Sequence, residues 1–252
     1  ISEIRKRGKK VGVIAIDPSS PFSGGAILGD RIRMQRPATD EGVFVRSMAT
    51  RGHLGGLSKA TFEGSLVLDA MGYDVIIIET VGVGQDEVDI VDLAHTTAVV
   101  SLPGMGDDIQ AMKAGILEIG DIFIVNKADK PGADEVVKQL NVMLEMRDHG
   151  DSSWMPPVMK TIAAKGVGIE ELVDNFFAHR QHLIDTGLLT KRVEERQQRF
   201  LTDLVKEIAF NKIKEALSGN EELKRIIKRL RSRELDPYSA VNEILKNLTV
   251  NL

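Results

Sequence analysis

Short apolar runs set between longer amphipathic stretches constrain this chain more than any other feature. Val11-Gly12-Val13-Ile14-Ala15-Ile16 and Val75-Ile76-Ile77-Ile78 lack the alternation of a half-exposed strand, so each reads as a strand covered on both faces. The second, closed by Glu79, is expected at the centre of its sheet. Thr97–Leu102, Ile122–Asn126 and Val158–Ile162 give three more strands. Helical periodicity occupies the intervals 27–36, 57–71, 107–118, 133–147 and 169–184. Strands alternating with helices pair in parallel through helical crossovers. An α/β sheet of that kind binds its ligands beyond the C-terminal strand ends.

Composition then removes whole classes of function. With 252 residues, 42% of them apolar, the chain can bury a full core. A net charge of -4 supplies no basic field for nucleic acid or an anionic membrane. The sequence has no cysteine, which excludes disulfides and thiolate metal ligation. No apolar stretch has the length of a membrane span, and no signal peptide opens the chain, so the expected setting is the cytoplasm, or an organellar matrix. His53, His95, His149, His179 and His182 are scattered. His179 and His182 share a helix face at i, i+3, read as a solvated polar face rather than a metal site.

The strand ends carry the chemistry. Ile122–Val125 delivers Asn126-Lys127-Ala128-Asp129, and an Asn-Lys-x-Asp turn at a strand end suits the reading of guanine. The Asp129 carboxylate can accept from N1–H and N2–H of guanine together, which adenine cannot match. The Asn126 amide can reach the base edge, and the Lys127 stem can cover the purine face. Glu79-Thr80-Val81-Gly82-Val83-Gly84-Gln85 follows the most apolar strand. There Glu79 can hold Mg²⁺ through a water and the Gly82 amide can face a terminal phosphate, or the segment is a plain turn with a solvated acid. Asp17 ends the first strand equivalently. Asp30 is either a further oxygen ligand or a helix N-terminal acid favoured by the macrodipole. Leu102-Pro103-Gly104-Met105-Gly106-Asp107 reads as a nucleotide-responsive loop or as a βα loop capped by Asp107. The amides of Ile162-Ala163-Ala164 could contact the guanine oxygen, and small-residue packing explains them as well.

Both ends of the chain differ from this pattern. Ile1–Gly8 reads as the last turns of a helix stopped at Gly8. Such a helix should follow a strand and a phosphate-binding loop, yet G-x-x-x-x-G-K-[ST] does not occur in the sequence. The expectation is that the sequence begins downstream of that loop. Beyond Lys191, three apolar stripes (Val193 to Ile208, Leu223 to Leu230, Val241 to Leu248) indicate a helical appendage, with Pro237 placed to start the last helix. The stripes pack either on the α/β core or on a second copy.

Asp17-Pro18-Ser19-Ser20-Pro21 with Gly24-Gly25, Leu28-Gly29-Asp30-Arg31, the segment from Glu79 to Gln85, Leu102-Pro103-Gly104 and Asn126-Lys127-Ala128-Asp129 together resemble the MeaB/ArgK family over nearly the whole chain. These are P-loop G proteins that act as chaperones of methylmalonyl-CoA mutase and related adenosylcobalamin enzymes. The resemblance implies a P-loop NTPase G domain of SIMIBI type over 1–189, without its first strand and P-loop, and a helical dimerisation extension over 190–252. It implies a homodimeric GTPase using GTP and Mg²⁺. Asp17 and Asp30, in a first switch, lie near the metal with Glu79; Glu79 to Gln85 form a second. A third, from Pro103 to Lys113, couples nucleotide state to the mutase through Asp107 and Lys113. Asn126, Lys127 and Asp129 read the base, and Ile162 to Ala164 form the last base-contacting loop.

Two departures from the family qualify this. Without the Walker A loop this chain alone is expected to bind GTP weakly and to be inactive. Ile162 replaces a small polar residue, leaving the Ala163 amide as the base contact in that loop. Val83 follows Gly82 where a water-orienting Gln would serve, and Gln85 either substitutes or is structural. Hydrolysis is therefore expected to be slow alone and accelerated by a partner on the order of 10³-fold. The competing readings are a transport-associated kinase, which Asp129 disfavours, a nickel-insertion GTPase, and a non-catalytic dimer scaffold.

Overall fold

The computed structural model describes residues 1–17, 39–49, 59–80, 86–104, 114–146, 154–217 and 221–248. The chain divides into Ile1–Arg192 and Val193–Leu252.

In the first unit, strands β1 (Val11–Asp17), β2 (Val43–Ala49) and β3 (Val75–Glu79) form a parallel sheet of order β2-β1-β3. Strands β4 (Ala98–Ser101), β5 (Ile122–Asn126) and β6 (Val158–Thr161) form a second, of order β4-β5-β6. All four pairings are parallel, so within each sheet the C-terminal ends share one edge. Helices α1 (Ser2–Lys6), α2 (Lys59–Ala70), α3 (Asp86–Leu93), α4 (Ala114–Ile119), α5 (Ala133–Glu145) and α6 (Ile169–Asp185) complete the α/β pattern.

Packing explains the local sequence. Gly12 sits inside β1 because α2 comes close: a Cβ there would lie 2.8 Å from Leu68 Cδ1, and Leu68 is buried. Phe123 and Val125 of β5 pack on Ala133, Val136, Leu140 and Leu144, one stripe of α5. Helix α6 serves both sheets. Its Val173 packs with Val11 and Val13, its Leu172 with Ile122, Ile124 and Met159, and Phe176 touches both groups. Arg7 Nη1 lies 2.6 Å from Asp174 Oδ1, tying α1 to α6. Gly8, at φ 74°, ends the first helix as the sequence indicates.

Two expectations need correction. β3 is an edge strand of its three-stranded sheet among the described residues, not its centre. Its unbroken apolarity records cover over both faces, which is independent of whether both edges are paired. Strand β2 was not foreseen. Arg46 and Ser47 interrupt its apolar run: Arg46 is exposed and Ser47 half-buried, so the faces of this strand are less covered than those of β1.

Helix α7 (Leu188–Leu217) begins in the first unit and continues into the second, which also holds α8 (Glu221–Arg231) and α9 (Pro237–Leu248). Ile226 and Ala240 are buried, and Arg229 Nη1 reaches both Glu243 carboxylate oxygens at 2.8 and 3.0 Å. Pro237 does start α9, and Asp236 Oδ1 caps it by accepting from the amides of Tyr238 and Ser239. No helix among the described residues is long and apolar enough to cross a membrane.

Candidate functional site

β5 carries the motif from a rigid base. Ile122, Phe123, Ile124 and Val125 are all buried, while Asn126 emerges half-buried at the strand end. Lys127 then takes a left-handed backbone, φ 57°, a conformation costing a non-glycine residue about 1 kcal/mol or more. This turn is stitched to the neighbouring strand: the Ala128 amide donates to the Thr161 carbonyl at 3.0 Å, and Lys130 N donates to the Lys127 carbonyl at 2.9 Å. Asn126 Oδ1 accepts twice, from Thr161 Oγ1 at 3.2 Å and from the Ala163 amide at 3.1 Å. Lys165 Nζ lies 3.1 Å from Asp129 Oδ2 and holds that carboxyl below the usual carboxylate range. Asp129 is thus an ionised, acceptor-only group with an outward face. It can accept from two adjacent N–H donors in one plane.

The loop from Ile162 is closed by the pairing of Ile162 with Val167, and Ala163–Lys165 form one 3-10 turn. Gly168, at φ 74°, lets this loop lie against the Lys160 carbonyl, where any Cβ would collide. Ala164 is exposed beside Ala163, whose amide is turned onto Asn126. Thr161 and Lys165 are the contributors that the sequence reading missed. Neither left a signal in the sequence: Thr161 meets Asn126 only through the register of β5 and β6.

In the other sheet, Asp17 closes β1 and Glu79 closes the adjacent β3, with Glu79 in register with Ala15. Two acids therefore end neighbouring parallel strands, and Glu79 is exposed. The side chain of Asp17 and the whole of Asp30, Gly82, Gln85, Asp107 and Lys113 lie outside the described residues. Among the described residues no group of three or more metal-ligating side chains occurs.

At the opposite, N-terminal ends of β4 and β5, the pair on α6 departs from the expected solvated face. His179 is 1% exposed. Its Nδ1 lies 2.8 Å from Thr96 Oγ1 and its Nε2 3.4 Å from Asp121 Oδ1, a geometry that suits a neutral ring protonated at Nε2. Trp154 covers both His179 and His182, at 4.8 and 5.4 Å between ring centroids, and donates to the Asp121 carbonyl. The i, i+3 spacing reports a shared face; here that face is turned onto the sheet. Burial lowers the His179 pKa from its ordinary 6.5, against the opposing pull of Asp121. The unfolded chain then takes up a proton that the folded ring resists, so this stabilisation is full above about pH 6.5 and lost as pH falls below it. The melting temperature is expected to fall from pH 7 to pH 5, and to fall less in His179→Gln; equal slopes would refute the assignment.

Comparison with known proteins adds relatives to this geometry. The family model described as "Methylmalonyl Co-A mutase-associated GTPase MeaB" matches residues 1–218. A putative GTPase of Pyrococcus abyssi is 52% identical over 98% of this chain and 77% of its own length. The GTPase ArgK of Escherichia coli is 32% identical over 95% of this chain and 73% of its own. Among solved structures, an LAO/AO transport system kinase superposes with a TM-score of 0.67 at 24% identity, covering 98% of this chain and 74% of that one, a likeness of fold.

Proposed function

The chain belongs to the MeaB family of methylmalonyl-CoA mutase-associated GTPases, and on that premise we propose that it reads guanine through Asp129 and couples GTP hydrolysis to an adenosylcobalamin-dependent mutase. The observation that carries the proposal is the turn after β5. There an ionised Asp129 and a doubly held Asn126 stand on a buried strand. Asp129 accepts from N1–H and N2–H of the base, Asn126 faces its edge, and the Lys127 stem covers the ring. The loop of Ile162, Ala163 and Ala164 borders the pocket, and its Ala163 amide, given to Asn126, acts on the base through that side chain and not as the direct contact expected from the sequence.

Asp17 and Glu79, hard oxygen donors on neighbouring strand ends, fit Mg²⁺ and would hold it with Asp30. Bound there, Mg²⁺ would neutralise charge on the transferring phosphoryl group. From their places in the motif that follows β3, contact with the terminal phosphate is assigned to the Gly82 amide and contact with the attacking water to Gln85. Asp107 and Lys113 pass nucleotide state to the mutase, which is thereby loaded with cofactor and protected. The family name, which pairs the GTPase with that mutase, supports the partner. Leu201, Val205 and Ile208 form an exposed stripe on α7 at i, i+4, i+7, which supports a homodimer through 190–252. The G domain is assigned to 1–189 and the setting to the cytoplasm, or the mitochondrial matrix in a eukaryote. Single-turnover GTP hydrolysis by the full-length protein is expected to rise when saturating mutase is added. An unchanged rate would refute the coupling.

A further inference from the structure

One turn addresses both polar members of the base-reading motif. Ala163–Lys165 sends the Ala163 amide to Asn126 Oδ1 at 3.1 Å and Lys165 Nζ to Asp129 Oδ2 at 3.1 Å, 36 residues away in sequence. The turn has little freedom. Lys165 N donates to the Ile162 carbonyl and Gly166 N to the Ala163 carbonyl, Gly166 closes it at φ 72°, and Ile162 pairs with Val167 beyond it. Lys165 is therefore presented to Asp129 from a fixed support, although its own stem is flexible.

A carboxylate has about four acceptor positions, and a planar base with two adjacent N–H groups uses one on each oxygen. Asp129 needs a partner on the remaining positions, or its carboxyl plane rotates freely about χ2 and presents one oxygen as often as two. We propose that Lys165 is a positioning residue for base recognition: by holding Oδ2 from the side it fixes the Asp129 carboxyl plane, so that both oxygens meet the N1–H and N2–H donors of guanine at once. This rests on the reading of Asp129 as the guanine acceptor. It assigns to Lys165 the two-point character of the contact rather than the contact itself.

The ratio of GDP to IDP affinity tests this, because hypoxanthine keeps N1–H and lacks the 2-amino group. Displacement of a fluorescent GDP analogue from the full-length protein supplies both constants. In Lys165→Ala the GDP preference over IDP is expected to shrink about threefold, the scale of an exposed ion pair, with IDP affinity nearly unchanged. Lys165→Arg should restore the preference, since a guanidinium can hold the same oxygen. An unchanged ratio in Lys165→Ala, or an equal loss of both nucleotides, overturns the positioning role. Asp129→Ala separates the two claims: if it leaves GDP binding intact, the guanine reading itself fails, whatever Lys165 does. Both side chains are exposed, so melting curves of the three variants should overlay that of the parent.

Discussion

Asp129→Asn is expected to lower the affinity of the full-length protein for GDP by about 10²-fold or more, while leaving its weak affinity for ADP unchanged. The carboxylate offers two acceptors in one plane; the amide offers one acceptor and one donor. Facing guanine, the new N–H₂ group meets the base's own 2-amino group, so one hydrogen bond is lost and two donors are opposed. The loss of charge removes the remaining advantage of an ionised acceptor. Xanthine carries a carbonyl where guanine carries that amine, so the variant should gain affinity for XDP as it loses GDP. Displacement titrations with GDP, XDP and ADP measure all three. GDP affinity within a few-fold of the parent would remove Asp129 from the base site. The fold should survive, because Asp129 is an exposed turn residue whose described side-chain hydrogen bond goes to Lys165, which is more exposed still.

Phe123→Ala is expected to destabilise the first unit by about 3–5 kcal/mol. Phe123 is fully buried at the heart of the cluster that joins β5 to α5, and Gly120 is a glycine because the Phe123 ring occupies the space of its Cβ. Truncation leaves a cavity between a central strand and its covering helix, where parallel pairing on both sides of β5 limits collapse. The sole tryptophan, Trp154, reports on this unit because it packs on His179 and donates to Asp121 at the foot of β5. Urea unfolding followed by its fluorescence should show the loss, with a fall in melting temperature of roughly 10 °C. A change below about 1 kcal/mol would mean that β5 is not the mechanical support of the motif. Phe123→Leu should cost much less, since most of the volume is kept.

The parts of this fold that could be read from sequence are those where the local pattern and the global role coincide. Ile122–Asn126 is apolar because it is central and buried on both faces, and its end is where a ligand-reading turn belongs. Helices 133–147 and 169–184 were legible to within a residue or two at either end, because each keeps one apolar stripe. β3 misled because hydrophobicity counts faces and pairing counts edges. β2 escaped because Arg46, exposed, and Ser47, half-buried, break the apolar run that marks a strand covered on both faces. The burial of His179 was illegible for a different reason: its environment comes from Thr96, Asp121 and Trp154, which no helical periodicity on α6 can announce. Lys165 escaped likewise, since an ion pair across 36 residues appears only once β5 and β6 lie side by side.

Each of the two sheets has one border strand that carries a cation and one that does not. The border strands with a cation are β2, with Arg46, and β6, with Lys160, which is held by Asp134. Such charges discourage a stray strand from docking. β3 and β4 carry nothing of the kind at their own borders: Val75-Ile76-Ile77-Ile78 and Ala98-Val99-Val100-Ser101 are unguarded among the described residues, and Val100 is 59% exposed. Among the described residues no strand pairs with their outer amides and carbonyls, so each border offers a place where one further extended segment of matching direction can pair.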